Sequence, residues 1–151
     1  MVDTLTHARE VVARVVDPEI PVLTIEDLGV LRAVEQDGDR VVVTITPTYS
    51  GCPAMGQIED DIIRALNRAG FADVRIDVVY QPAWTTEWMS DEARSKLEDF
   101  GIAPPTAPAD VRCPKCRHGE SRLIAQFGST ACKALMVCSA CGDPFDYFKE
   151  H

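Results

Sequence analysis

The spacing of apolar positions along the chain switches between about 3.6 and about 2 residues, and each switch marks an element. Leu5, Ala8, Val12 and Val15 recur at helical spacing, which predicts a helix over residues 4–16, capped by Asp3 or Thr4 and closed before Pro18. Residues 28–35 and 40–46 read as strands, and Asp37-Gly38 between them signals a tight hairpin, so the two pair antiparallel. Val41, Val43 and Ile45 take one face of the second strand, and Val42, Thr44 and Thr46 the other. Helical period returns over residues 53–69. Met55, Ile58, Ile62, Leu66 and Ala69 form its stripe, Asp60 and Arg64 an i,i+4 pair, and Gly70 its stop. Residues 73–80 alternate again. A strand reached through a helix pairs parallel with the strand before it, by a right-handed connection. A short helix follows Ser90, with Leu97 and Phe100 turned inward and Gly101 as its stop. Residues 122–127 and 145–148 read as further strands.

Two irregular stretches interrupt this pattern. Asp17-Pro18-Glu19-Ile20-Pro21 is stiffened by two prolines. It is either a rigid connector with solvated carboxylates or a pair of oxygen ligands held on a stiff loop. Thr46-Pro47-Thr48-Tyr49-Ser50-Gly51-Cys52-Pro53 joins a strand to a helix. Pro53 suits the first helical position, so Cys52 falls at or next to the N-cap, where unpaired N–H groups and the helix dipole favour a thiolate. Cys52 is thus a reactive or metal-accepting sulfur, or a small half-buried residue filling a tight turn. The aromatic loop of Trp84, Trp88 and Met89 covers a core, walls a site or receives a partner.

Composition narrows the class. The chain has 151 residues, 46% of them hydrophobic, enough for one domain plus a small appendage. It holds no apolar run long enough for a membrane span and no visible signal peptide, so a cytoplasmic protein is expected. Residues 1–103 hold 19 acidic residues against nine basic ones, and residues 104–151 five against six. An acidic body repels phosphate backbones, so nucleic acid is not an expected partner.

Five of the six cysteines lie in the last 39 residues. Cys113-Pro114-Lys115-Cys116 and Cys138-Ser139-Ala140-Cys141 are paired CxxC knuckles, able to supply four thiolates to one tetrahedral ion. They predict a zinc ribbon with one structural zinc. Iron in a rubredoxin-like site is the competing reading, since soft tetrahedral sulfur suits both. His118 reads as a surface residue. Cys132 is left over, beside Lys133. It is either a packed small residue or a thiol whose pKa the lysine lowers, the second making it a candidate reactive thiol. The expected fold is therefore α+β: a small mixed sheet of about three strands with two to three helices, followed by a C-terminal zinc ribbon. The expected divisions are a domain over residues 1–103, a Pro-rich linker over 104–110 and the ribbon over 111–151.

Independent catalysis is poorly provided for. Cys52 lacks a local resolving cysteine, the only histidines are His7, His118 and His151, and no phosphate-binding loop is present. No catalytic residue is assigned. Asp17-Pro18-Glu19-Ile20-Pro21, Asp27-Leu28-Gly29-Val30 and the Thr46 to Pro53 segment resemble the signature of the SufT-like metal–sulfur cluster biosynthesis domain. Pro82-Ala83-Trp84-Thr85-Thr86-Glu87-Trp88-Met89, Phe127-Gly128-Ser129-Thr130-Ala131-Cys132-Lys133 and Cys141-Gly142-Asp143-Pro144-Phe145-Asp146-Tyr147-Phe148-Lys149 resemble the D-type accessory subunit of bacterial phenylacetyl-CoA epoxidases. The chain departs from the ribbon pattern at Arg117-His118, where glycine is common. The resemblance implies a maturation role in a multicomponent oxygenase, with its oxygenase and reductase subunits as partners. It implies a transient iron or iron–sulfur cluster carried by Cys52, with Asp17, Glu19 and Thr48 lining the site. The alternative is a docking module that joins oxygenase subunits through the ribbon. A lone cluster ligand per chain would favour a homodimer sharing one cluster.

Overall fold

The computed structural model describes residues 4–48, 54–128 and 130–150, with Pro108 described by its backbone alone. The chain forms two compact units that divide between Trp88 and Met89.

The first unit begins with α1 (Thr4–Ala13), which buries Ala8 and Val12. This helix stops three residues short of the expected end. Val15 donates its N–H back to Val12, and Val16 forms an isolated antiparallel bridge with Thr24. A β-branched pair beside a proline favours that extended exit. Where a strand is expected from Leu28, the chain instead makes a short helix, α2 (Ile25–Leu28). Thr24 and Asp27 close a reciprocal capping box around it, at 3.0 and 3.1 Å. Gly29 ends the helix at φ +78°. The strands β1 (Leu31–Asp37) and β2 (Arg40–Ile45) then form the expected antiparallel hairpin. The helix α3 (Ala54–Arg68) buries Ile58, Ile62 and Leu66, each worth about 1.5–3 kcal/mol of transfer free energy. β3 (Val74–Val78) pairs parallel with β2, giving the sheet order β1-β2-β3. Asp60 and Arg64 form no ion pair among the described residues.

The aromatic loop closes this unit. Trp84 is 6% exposed and donates its indole N–H to the Leu28 carbonyl at 2.8 Å. The guanidinium of Arg32 lies 4.0 Å from the Trp88 ring centroid, a cation–π contact. Gly29 packs so tightly here that an added Cβ would sit 2.6 Å from the Trp88 Cβ.

The second unit contains α4 (Asp91–Asp99), whose N-cap Ser90 accepts the Ala93 N–H at 3.1 Å. Leu97 is buried, as expected. Phe100 is the C-cap and is 60% exposed, not inward, because the helix ends before its next turn reaches the core. β4 (Ile102–Ala103), β5 (Ser121–Ala125), β6 (Lys133–Cys138) and β7 (Pro144–Phe148) form one sheet in the order β4-β7-β6-β5. The expected boundary at 103/104 thus falls inside this unit, since Ile102 and Ala103 pair with Asp146 and Tyr147. Ala134, Met136, Phe145 and Tyr147 form the core together with Cys113 and Cys138, so the two knuckles are part of the core itself.

The knuckles match bond for bond. Arg117 N–H donates to Cys113 O at 2.9 Å, as Gly142 N–H does to Cys138 O at 3.0 Å. Cys113 N–H donates to His118 O, as Cys138 N–H does to Asp143 O. Both turns place the residue after the second cysteine in the left-handed region, Arg117 at φ 66° and Gly142 at φ 76°. Arg117 is the departure noted in the sequence. It tolerates the conformation at a cost, and its guanidinium pairs with the Glu98 carboxylate.

Two substitutions follow from these glycines. Gly29→Ala should destabilise the first unit by more than about 2 kcal/mol, because it adds a backbone clash to an unfavourable φ. Gly38→Ala meets no atom within 4 Å and should cost only about 1 kcal/mol. Both tryptophans, Trp84 and Trp88, lie in the first unit, so urea unfolding followed by their fluorescence measures this difference. In the second unit, Gly142→Ala should cost about 1–2 kcal/mol and speed amide exchange in β6, whereas Gly119→Ala, at an ordinary φ in open space, should leave it unchanged.

Candidate metal centre and thiol site

Two elements bring the four ribbon cysteines together. The first knuckle precedes β5, and the second joins β6 to β7. One sulfur atom from each of Cys113, Cys116, Cys138 and Cys141 lies within 4.8 Å of the others. Cys113 Sγ is 3.9 Å from Cys141 Sγ, and Cys116 Sγ is 3.4 Å from Cys138 Sγ. A zinc ion at about 2.3 Å from each of four sulfurs requires tetrahedron edges of about 3.8 Å. The sulfur set therefore fits a tetrahedral ion. Four thiolates complete its shell and leave no open position for a substrate, which marks the site as structural.

The second knuckle is built to hold a thiolate. The N–H groups of Cys141 and Ala140 point at Cys138 Sγ, at 3.5 and 3.4 Å. With the Cys141 N–H as the largest cause, they hold the Cys138 thiol down to about 6, against burial, which raises it. Cys141 goes the other way. The Asp143 N–H lowers it, but burial and the three neighbouring sulfurs together carry it up to about 11. Four sulfurs cannot all ionise at this separation without a cation among them, so metal uptake must expel protons. His118 is outside the sulfur cluster and lies on the surface, its Nε2 3.9 Å from Glu120 Oε2.

The candidate residues of the first unit come from two segments. Asp17 is buried, and its Oδ1 accepts the N–H groups of Glu19 at 2.7 Å and Ile20 at 3.0 Å. Its own N–H donates to Leu23 O at 2.9 Å. Asp17 therefore folds the loop that presents half-buried Glu19. Cys52 lies outside the described residues, as do its neighbours 49–51 and Pro53. Its flanks are clear. Thr48 is half-buried just beyond the carboxyl end of β2, and Ala54 is buried at the start of α3. The two segments are tied by main-chain bonds. Ile25 N–H donates to Val15 O, Val30 N–H to Ile25 O and Thr46 N–H to Val30 O.

Thr46 is the residue that sequence reasoning passed over. Alternation assigns it to the same face as Val42 and Thr44, which are half-buried, yet it is 1% exposed. Its Oγ1 has no hydrogen-bond partner among the described residues. The signal was present in the position, between the end of β2 and Pro47 on the segment that leads to a lone cysteine.

Cys132 is 5% exposed, with its Sγ 3.0 Å from Thr130 Oγ1. Lys133 is buried and turns to Asp146, its Nζ 3.6 Å from Oδ2. The lysine expected to act on the Cys132 thiol is thus engaged by a carboxylate on β7.

Comparison with known proteins finds matches for both parts of the chain. Residues 6–78 match the family described as iron–sulfur cluster assembly protein, and residues 101–149 match the PaaD zinc beta ribbon domain. A protein of Escherichia coli (strain K12), provisionally named as the D-type subunit of 1,2-phenylacetyl-CoA epoxidase, is 49% identical over 91% of this chain and 87% of its own. An Fe–S protein maturation auxiliary factor of Porphyromonas gingivalis (strain ATCC BAA-308 / W83) is 39% identical over 55% of this chain and 80% of its own. Among solved structures, a DUF59 domain of unknown function from Bacillus anthracis aligns at a TM-score of 0.57 and 32% identity, covering 62% of this chain and 90% of that one. No described helix is long and apolar enough to cross a membrane. Matched over nearly its whole length, the chain belongs to the family of D-type 1,2-phenylacetyl-CoA epoxidase subunits, an iron–sulfur cluster assembly domain followed by a zinc ribbon.

Proposed function

We propose that this chain is a non-catalytic maturation subunit of a phenylacetyl-CoA epoxidase system, which delivers iron or an iron–sulfur cluster to a partner protein of that system. The observation that carries the reading is the segment between β2 and α3. It leaves the carboxyl end of a strand in a parallel pair, where α/β sheets place their sites, beside a buried hydroxyl without a partner among the described residues. In this reading Cys52 is the exchanging ligand, Asp17 sets the loop, and Glu19 and Thr48 line the site. The cluster is cargo. Each transfer step breaks one iron–thiolate bond to this chain as a thiolate of the recipient forms another, and no electrons are consumed. The ribbon cysteines hold a resident zinc, and the work is done in the cytoplasm.

A second reading, docking through the ribbon, is favoured by one surface. β5 pairs only with β6 in the sheet order, and Leu123, Ile124 and Phe127 on or just after it are 49%, 49% and 65% exposed. Exposed apolar groups on an open strand edge suit the addition of a partner strand.

Metal analysis after anaerobic purification separates the parts. Wild type should carry about one zinc per chain plus iron and sulfide, and Cys52→Ser should lose the iron and sulfide and keep the zinc. Mixing loaded protein with the apo reductase should restore its cluster, and the serine variant should not. Normal maturation of the epoxidase in cells carrying Cys52→Ser would sink the reading. If docking alone is the role, Ile124→Asp should abolish capture of the oxygenase subunits while Cys52→Ser leaves both capture and activity intact. Zinc affinity of the ribbon should rise from about pH 6 to about pH 8, by about tenfold per pH unit for each thiol still protonated. Cys116 and Cys141, both raised, must shed protons in that range, and Cys138, already down at about 6, contributes less than either.

A further inference from the structure

The first unit carries 15 acidic residues against seven basic ones, every one of the seven an arginine. Three of these arginines are engaged within the unit: Arg40 with Asp73, Arg75 with Asp77, and Arg32 over the Trp88 ring. Another three, Arg14, Arg64 and Arg68, line a single cleft of about 300 Å³ where the exit of α1 meets the second half of α3. None of the three guanidinium groups has a hydrogen bond or ion pair among the described residues. Asp61, the one carboxylate among the lining residues, accepts from Gln57 Nε2 at 2.8 Å and offsets one of the three charges, which leaves the cleft with an excess of two positive charges. The floor is apolar, with Val11 and a 40% exposed Val16.

We propose that this cleft is a docking site for an acidic segment of a partner protein. Charge complementarity selects the occupant. Arg64 and Arg68 are one helical turn apart, roughly 6 Å, a spacing that two carboxylates on a peptide reproduce. An apolar side chain between those carboxylates would cover Val16. A long polyanion would meet the repulsion of the surrounding acidic surface, and nucleic acid offers no apolar complement to the floor. The cleft also has a place in the fold. Val15 and Val16 lead directly into Asp17, so a segment seated there lies beside the loop that Asp17 folds.

The test uses the full-length, metal-loaded protein and labelled short peptides in which leucine alternates with glutamate or with lysine. By fluorescence anisotropy the glutamate peptide should bind at least about fivefold more tightly than the lysine peptide, and more weakly as salt rises. Arg64→Glu should weaken it by at least about fivefold, whereas Arg9→Glu, on α1 but outside the cleft, should not change it. All these positions are on the surface, and unchanged tryptophan fluorescence confirms folding. Equal binding of the two peptides, or binding unaltered by Arg64→Glu, overturns the proposal. So does complete displacement by inorganic phosphate at matched ionic strength, which marks a simple anion site, or tighter binding of a single-stranded oligonucleotide, which marks a polyanion site.

Discussion

Three backbone hydrogen bonds, Ile25 to Val15, Val30 to Ile25 and Thr46 to Val30, tie together the segments that carry the first unit's candidate residues. They join the exit of α1, the turn around α2 and the last residue before Pro47. The loop folded by Asp17 hangs from one end of this series, and the segment leading to Cys52 from the other. None of the three belongs to the main ladder of the sheet. Each depends on the irregular stretch between Pro18 and Val30 folding correctly. That stretch is held in turn by the capping box of Thr24 and Asp27, the positive φ of Gly29, and the Trp84 indole donating to Leu28 O.

The second unit solves a different problem. A small four-stranded sheet cannot bury enough apolar surface to be stable unaided, and its core is completed by cysteines. Cys113 and Cys138 are both core residues and members of the sulfur cluster, so a bound ion and the core support the same turns. Here the metal is architecture, since four thiolates leave it no vacant position. The first unit differs electrostatically from the near-neutral ribbon, with an acidic composition and an arginine-lined cleft.

Much of this was legible in the chain. The paired CxxC knuckles specify their own geometry, because two cysteines with two residues between them set both sulfurs in one tight turn, and two such turns supply the four sulfurs of a tetrahedral site. The hairpin at Asp37-Gly38, the stripe of α3 and the parallel crossover to β3 follow from local periodicity and the handedness of connections. The misses were of other kinds. The helix α2 was written in Thr24-Ile25-Glu26-Asp27 but is too short to show a period. Phe100 reads as inward by spacing, yet the helix ends at it. β6 lies among small and mixed residues, and β4 is two residues long; both exist because a neighbouring strand supplies their partners.

The sequence by itself determined which residues could carry chemistry: four ribbon cysteines, a lone cysteine before a helix, and a pair of acids on a proline-stiffened loop. Their side-chain types and spacings are local properties, and local properties survive in one dimension. Tertiary structure alone decided how those residues are used. It set two amides on Asp17 Oδ1, brought Lys133 to Asp146, buried Thr46 Oγ1 without a partner among the described residues, and gathered in one cleft three arginines whose side chains are unpaired among the described residues. Each of these outcomes is a competition for hydrogen-bonding or charged partners that are distant in the chain, and only the folded arrangement of the backbone determines which partner is within reach.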